Sequence, residues 1–182
     1  LYRFRHASPR QVQNITELFR FLMDYSPNRS FSVMAGRTIM LAYVKGVNMS
    51  SQSILQEHYS QAIIRGYFVE YMSKIFDDPF VNRYAFQCGM FSLLHLFLLK
   101  EEVDVIADDQ FADIFDRIYS ESELMADIIE CVQAIEATNL NAIFDFIHKY
   151  SVPPASVLIS YEKALMRTNE LLLVLNIVTT HK

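Results

Sequence analysis

The chain has few of the residues that interrupt regular structure, with four glycines and five prolines among 182 residues. A sheet sandwich needs many turns built from such residues, so their scarcity argues against that class and favours helices joined by short connections. Charged residues make up only 20% and hydrophobic residues 52%, which argues against a disordered chain. We expect one all-α domain over residues 1–182, which could be a fragment of a longer chain that starts before Leu1.

Cysteine is also scarce. Cys88 and Cys131 lie far apart, and each stands within an apolar pattern. Buried free thiols are the expected state, and they suit a reducing compartment. No signal peptide or lipidation motif is visible, so we expect a cytoplasmic protein.

Positive charge is scarce outside the first 50 residues. Those 50 residues carry seven Lys or Arg against two acids, whereas residues 101–136 carry twelve acids and Arg117 as their one base. Such an acidic segment repels phosphates, which argues against a nucleic-acid partner. We interpret the two segments either as ordinary solvated surfaces or as docking faces. The acids assigned to the docking face are Asp104, Asp108, Asp109, Asp113 and Asp116.

The residue patterns of common catalytic and metal sites are missing. No histidine is followed by aspartate, as the metal-binding doublet of helical HD phosphohydrolases requires, and H-E-x-x-H is absent. The acids of residues 101–136 lack the spacing of a calcium loop, so a metal site there is the least favoured reading. Ser92 lacks the flanking glycines of a nucleophile elbow, and its hydroxyl is expected to bond to a carbonyl one turn earlier. We expect no catalytic residue, no metal ligand and no cofactor.

Helix starts and stops are legible along the chain. Residues 84–99 carry no formal charge and are apolar on every face, which predicts a central buried helix starting at Asp78-Pro79. Gln87, Ser92 and His95 argue against a membrane span, and His95 is interpreted as a core histidine. The other predicted helices cover about residues 9–24, 32–45, 53–76, 109–118, 120–137, 140–150 and 155–178.

Two of these predictions concern details of the later helices. Ser120 with Glu123 has the spacing of a capping box, which predicts the start of the helix that ends near residue 137. The last helix is expected to bury one stripe of side chains. The stripe consists of Leu158, Tyr161, Leu165, Thr168, Leu172 and Leu175.

The order of several segments resembles the HDOD domain found at the C-terminal end of bacterial EAL-HDOD signalling proteins. Residues 61–70 resemble a family helix with a small residue, an arginine and a glutamate, here Gly66, Arg65 and Glu70. The family hallmark, an aromatic followed by a glycine and F-S-L-L, is met over residues 86–94. The remaining matching segments are residues 101–103, 134–136 and 161–165.

The resemblance covers about 120 positions and departs from the family at both ends. Residues 1–50 match poorly, and Arg167-Thr168-Asn169 stands where the family commonly has a tryptophan, so the chain resembles a divergent member. The resemblance implies an all-helical bundle related to the HD superfamily that has lost its metal ligands. It also implies regulation through protein contacts in cyclic di-GMP or related signalling, beside a neighbouring EAL domain.

Two other functions stay open at this level. A helical small-molecule sensor would use an apolar pocket between the apolar helix and the last helix. Its expected lining is Phe86, Met90, Phe97, Met166 and Leu172. A metal hydrolase with scattered ligands is the least favoured alternative, and the non-catalytic regulatory domain is the leading hypothesis.

Overall fold

The computed structural model describes residues 52–99 and 122–174, and the side chains within 57–93 and 122–173. These residues form five helices and no strand, which confirms the all-α prediction for this part of the chain. The helices are α1 (Gln52–Phe76), α2 (Pro79–Leu99), α3 (Glu123–Glu136), α4 (Leu140–Tyr150) and α5 (Pro154–Val174). The helices predicted over residues 9–24, 32–45 and 109–118 lie outside the described residues.

Helix α1 packs along α2 and also contacts α3 and α5, while α2 contacts α3 and α4 packs on α3. The apolar side chains of α1, α2 and α3 supply most of one continuous core, to which α4 and α5 add one face each. The largest fully buried side chains in it include Phe68, Phe91 and Met125. The predicted burial of the uncharged segment is confirmed from residue 85 to 93, with Tyr84 partly buried at its edge.

Polar side chains cap three of the helix starts. The Asp78 carboxylate accepts the Val81 N–H at 2.9 Å, which confirms the start of α2 at Asp78-Pro79. Helix α3 begins at Glu123, two residues later than predicted, and the hydroxyl of Ser122 accepts the Met125 N–H. This register places Glu123 in the first turn, where a carboxylate interacts favourably with the helix dipole.

The helix ends explain how the chain turns with so few glycines. Asp77, Thr138 and Ser151 have φ values of 52°, 56° and 51°, in the left-handed region that usually favours glycine. After α3 the Asn139 N–H donates to the Ala134 carbonyl at 2.8 Å, and after α4 the Val152 N–H donates to the Ile147 carbonyl at 3.1 Å. These bonds satisfy carbonyls at the helix ends and hold the short connections.

Thr138→Gly is expected to raise the free energy of unfolding by about 1 kcal/mol, because a β-branched residue is disfavoured at positive φ and Thr138 is exposed. The matched control is Ala137→Gly, one residue earlier at φ −83°, where glycine only adds freedom to the unfolded chain and should destabilise. Urea unfolding of both variants measures the difference. A destabilised Thr138→Gly would contradict the prediction.

The inner face of α5 differs from the predicted stripe. Its buried residues include Val157, Ser160, Ala164, Thr168 and Leu172, whereas Leu158 and Leu165 are exposed. Ser160, Ala164 and Thr168 have small side chains, and small side chains at a contact bring helix axes closer together. The predicted burial is confirmed for Thr168 and Leu172 and wrong for Leu158 and Leu165, while Tyr161 is half-buried and Leu175 lies outside the described residues. On α4, Phe146 and Ile147 are buried and Phe144 is exposed.

Candidate functional site

A buried ion pair joins α1 to the last residue of α3. The Nε of Arg65 donates to the two carboxylate oxygens of Glu136 at 2.9 and 3.0 Å, and its Nη2 donates to Oε2 at 2.5 Å. The side chains are only 6% and 11% exposed. This bidentate geometry is the strongest arrangement of an arginine with a carboxylate, and it satisfies most of the donors and acceptors that burial removes from water.

Helix α2 contacts this ion pair through Ser92. The Nη1 of Arg65 donates to the Ser92 hydroxyl at 3.4 Å, and that hydroxyl donates to the Gly89 carbonyl at 2.7 Å. The predicted bond from Ser92 to a carbonyl one turn earlier is thus confirmed. The serine is a link between Arg65 and the backbone of α2, with its hydroxyl engaged at both ends.

Two glycines bring α1 and α2 close together at this point. A Cβ on Gly89 would lie 2.5 Å from the Arg65 carbonyl oxygen and 2.8 Å from a methyl group of Val69. A Cβ on Gly66 would lie 2.9 Å from the Phe86 ring and 3.0 Å from its carbonyl oxygen. Both glycines are needed because the backbones approach so closely, and neither has positive φ.

Tyr161 brings α5 to the edge of the cluster. Burial is the main reason that the pKa of its phenol is raised, and the negative charge of Glu136 raises it further while Arg65 opposes the shift. Its ring meets Phe68 edge to face at a centroid distance of 6.1 Å. We define the Arg65 cluster as Arg65, Gly89, Ser92, Glu136 and, at its edge, Tyr161. Its hydrogen bonds connect α1, α2 and α3, and Tyr161 places α5 close enough for the charges of Arg65 and Glu136 to act on its phenol.

Four of the five segments that carry the HDOD resemblance contribute a residue to this cluster, and the fifth, residues 101–103, lies outside the described residues. The sequence pattern contained Arg65, Ser92 and Glu136 in three separate segments but gave no indication that they touch. Arg65 and Glu136 are 71 residues apart. An arginine within the otherwise apolar run of residues 62–69 was the available signal, because a charge that is buried with such a run needs a partner.

Glu70, which also belongs to the sequence pattern that resembles the HDOD domain, is part of a different feature of the structure. It accepts from Lys74 at 3.0 Å and lines a cavity of about 320 Å³ where α1 ends and α2 begins. The other lining residues are Lys74, Asp77, Asn82, Arg83, Phe86 and Gln87. The wall carries both signs of charge.

A second cavity, of about 260 Å³, lies between α3 and α4. At its edge Lys149 pairs with Asp127 at 2.5 Å and with Glu123 at 2.6 Å, and the Tyr150 hydroxyl donates to Asp127 at 2.5 Å. Burial and that carboxylate raise the pKa of Tyr150 to about 12. The cavity is lined by Asp127, Glu130, Cys131, Ala142, Asp145, Phe146 and Lys149.

The predicted apolar pocket is not assembled by the described residues. Met90 and Leu172 are buried, but Met166 is 58% exposed on the outer side of α5, and the side chain of Phe97 lies outside the described part. Of the predicted lining residues, Phe86 does line a cavity, but this is the cavity between α1 and α2, whose wall carries charges of both signs. The predicted pocket is not assembled because α5 is rotated about its axis so that its small residues face the core and Met166 faces outwards.

The predicted free thiols are confirmed. Cys88 and Cys131 are buried and unbonded, and burial raises the pKa of each to about 12. A higher pKa means less thiolate at neutral pH, so both thiols are poor nucleophiles in the folded chain.

The positions of three histidines and of the predicted docking acids are as follows. His58 is half-buried on α1 and His148 is exposed on α4, while the side chain of His95 and the acids at 104, 108, 109, 113 and 116 lie outside the described residues. Within residues 52–99 and 122–174, no three His, Cys, Asp or Glu side chains are grouped as a metal site would need. In the same ranges, none of the helices has the length and apolarity to cross a membrane.

Comparisons with protein-family models, with curated proteins and with solved structures gave no match for this chain.

Proposed function

We propose that this chain is a non-catalytic regulatory domain of the HDOD type, which acts through protein contacts in bacterial cyclic di-GMP or related signalling. The observation that carries the proposal is the convergence of the resembling segments on the Arg65 cluster. Residues 65, 89, 92 and 136 come from three stretches of sequence, yet their side chains and backbone meet at one point. A cytoplasmic location and a neighbouring EAL domain belong to the same proposal.

The contacts inside the cluster support a structural role for it. Arg65 donates hydrogen bonds to Glu136 and Ser92, and the Ser92 hydroxyl donates its proton to the Gly89 carbonyl. The pair is almost wholly buried, so these groups are held in contact with each other and away from a substrate. A buried polar network of this kind specifies how helices pack, which is what a contact-dependent domain requires.

Such a junction also gives a mechanism for regulation. Because Glu136 is the last residue of α3 and Arg65 stands in the middle of α1, a partner that shifts α3 would act directly on the packing of α1 against α2. A partner that binds one packing arrangement better than another shifts the population towards it. The acids at 104, 108, 109, 113 and 116 remain the predicted docking face.

The test has a catalytic arm and a regulatory arm. The purified chain with manganese or magnesium is expected to hydrolyse neither cyclic di-GMP nor a phosphomonoester above the buffer rate. Added in excess to an EAL phosphodiesterase of the source organism, it is expected to change the rate of cyclic di-GMP hydrolysis at least about twofold, since a rate ratio of that size needs well under 1 kcal/mol of coupling.

Two matched sets of substitutions distinguish an effect of the docking face on the phosphodiesterase rate from an effect of the total charge. Replacing Asp104, Asp109 and Asp113 by Asn should abolish the rate change, and replacing the exposed Glu57, Glu130 and Asp145 by their amides removes equal charge and should leave it. Metal-dependent turnover that survives purification would refute the non-catalytic assignment. An unchanged phosphodiesterase rate would refute the signalling assignment.

A further inference from the structure

The cavity between the end of α1 and the start of α2 has a volume of about 320 Å³, which is enough for a ligand of roughly ten non-hydrogen atoms. We name it the α1–α2 cavity, and its lining separates into a buried floor and an exposed rim. The floor consists of Glu70, Phe86 and Gln87, which are between 3% and 7% exposed. The rim consists of Lys74, Asp77, Asn82 and Arg83.

The floor contains two large polar side chains of the core that do not belong to the Arg65 cluster. Among the described residues, the buried side chains with a charge or an amide are Arg65, Glu70 and Gln87. Arg65 is held by Glu136 and Ser92. Glu70 and Gln87 come from different helices, and both line the α1–α2 cavity. Burial of such groups costs free energy, and polar groups that converge in a cavity are characteristic of ligand sites.

The floor suits a group that is positively charged and donates hydrogen bonds. Glu70 accepts from Lys74 at 3.0 Å, and a carboxylate can accept about four hydrogen bonds, so this bond uses only part of its capacity. The amide oxygen of Gln87 is a second acceptor, and an aromatic ring such as that of Phe86 attracts cations. A primary ammonium group, with three N–H donors and one positive charge, matches these three side chains.

The rim suits a carboxylate, chiefly through Arg83. Its guanidinium lies over the Tyr84 ring at 5.2 Å from the centroid, and among the described residues no acid pairs with it. A guanidinium has five N–H donors in a planar fork that binds a carboxylate through two parallel hydrogen bonds. Lys74 adds a second positive charge to the rim, and Asp77 is the one acid there. The rim is therefore net positive and the floor net negative.

This separation of charge disfavours other classes of small ligand. An anion would meet the buried carboxylate of Glu70, and a cation would meet Lys74 and Arg83 at the rim. An apolar ligand would take charged rim groups out of water without replacing their hydrogen bonds. A metal ion would lack ligands, since no three His, Cys, Asp or Glu side chains are grouped within residues 52–99 and 122–174. A molecule with one charge of each sign matches the floor and the rim together.

We propose that the α1–α2 cavity binds a free α-amino acid, with the ammonium group on Glu70 and Gln87 and the carboxylate on Arg83. The side chain of the amino acid would occupy the remaining volume beside Phe86. This inference goes beyond the proposed function and does not depend on it, because it follows from the charges of the cavity alone.

The first experiment measures the melting temperature of the purified full chain with each of the twenty standard L-amino acids at about 5 mM. At least one of them is expected to bind with a dissociation constant of about 0.5 mM or less, a modest affinity for a ligand of this size. At ten times its dissociation constant, such a ligand should raise the melting temperature by about 3 °C or more.

The charge of the ligand is tested with two analogues of the strongest binder. One is the amine that lacks the carboxylate, and the other is the acid that lacks the ammonium group. Each should bind at least about tenfold more weakly than the amino acid, because each loses a charged hydrogen-bonding group. Ligand-observed NMR titration gives the three affinities.

Two variants test the assigned roles through a change in selectivity. Arg83→Gln should weaken binding of the amino acid about tenfold and leave that of the amine within about twofold. Glu70→Gln should weaken binding of the amino acid about tenfold and leave that of the acid within about twofold. Lys163→Gln, which removes an exposed cation of α5 that does not line the cavity, is the matched control and should leave all three affinities within about twofold.

A chain whose melting temperature is raised by none of the twenty amino acids would overturn the proposal. So would an amine or an acid that binds as tightly as its amino acid, or an Arg83→Gln chain that binds the amino acid unchanged. If Glu70→Gln fails to fold, as circular dichroism would show, Arg83→Gln decides, because Arg83 is exposed. Failure here shows in ligand binding, whereas failure of the proposed function shows in hydrolysis rates.

Discussion

Arg65→Met is expected to lower the free energy of unfolding by about 3–5 kcal/mol, the usual cost of removing one partner of a buried ion pair. The loss arises because Glu136, whose side chain is 11% exposed, would keep a charge with no counterion and the Ser92 hydroxyl would lose a donor. Methionine fills most of the space of the arginine stem, so little of the effect would come from a cavity. Urea unfolding at neutral pH measures it.

The stability of the double variant Arg65→Met, Glu136→Met is the most informative comparison for that of Arg65→Met. Replacing both partners by apolar side chains is often close to neutral, so the double variant should be more stable than Arg65→Met alone. Arg83→Met is the matched control, since Arg83 is exposed on α2 and its main described contact is with the Tyr84 ring at 5.2 Å. Arg83→Met should lower the free energy of unfolding by at most about 1 kcal/mol. If Arg65→Met and Arg83→Met cost the same, the buried pair does not stabilise the junction.

Gly89→Ala is expected to lower the free energy of unfolding by about 3 kcal/mol or more. In an open helix the same change would stabilise by about 0.5–1 kcal/mol, so the direction of the effect reports the contact and not helix propensity. Here the new methyl group would lie 2.5 Å from the Arg65 carbonyl oxygen, and a backbone atom cannot move aside without separating α1 from α2. Separation would also disturb the bond between Arg65 and Ser92.

Gly66→Ala is the comparison for Gly89→Ala, because it adds the same methyl group to the same pair of helices. Its closest neighbour would be the Phe86 ring at 2.9 Å, which can shift slightly, and the nearest backbone atom is 3.0 Å away. We expect a smaller loss than for Gly89→Ala in the same urea titration. A Gly89→Ala chain as stable as the parent would mean that α1 and α2 are not in close contact there.

Local features of the chain were predictable from the sequence. The apolar run, the scarcity of glycine and the capping residue Asp78 predicted α2 and the all-α class, and the spacing of Ser92 and Gly89 predicted their hydrogen bond. These features depend on residues within one or two turns of each other. The start of α3 was wrong by two residues, because Ser120 and Ser122 are both good caps and only the folded chain selects between them.

Contacts between distant segments were decided by the tertiary structure. Helix period placed Thr168 and Leu172 on the buried face of α5, but it did not fix how far the helix is rotated about its axis. Packing against α1 selected the face with Ser160, Ala164 and Thr168, because small side chains allow the closer approach, and this left Leu158 and Met166 outside. In the same way the sequence supplied Arg65 and Glu136 separately, and only the packing of α3 on α1 made them a pair.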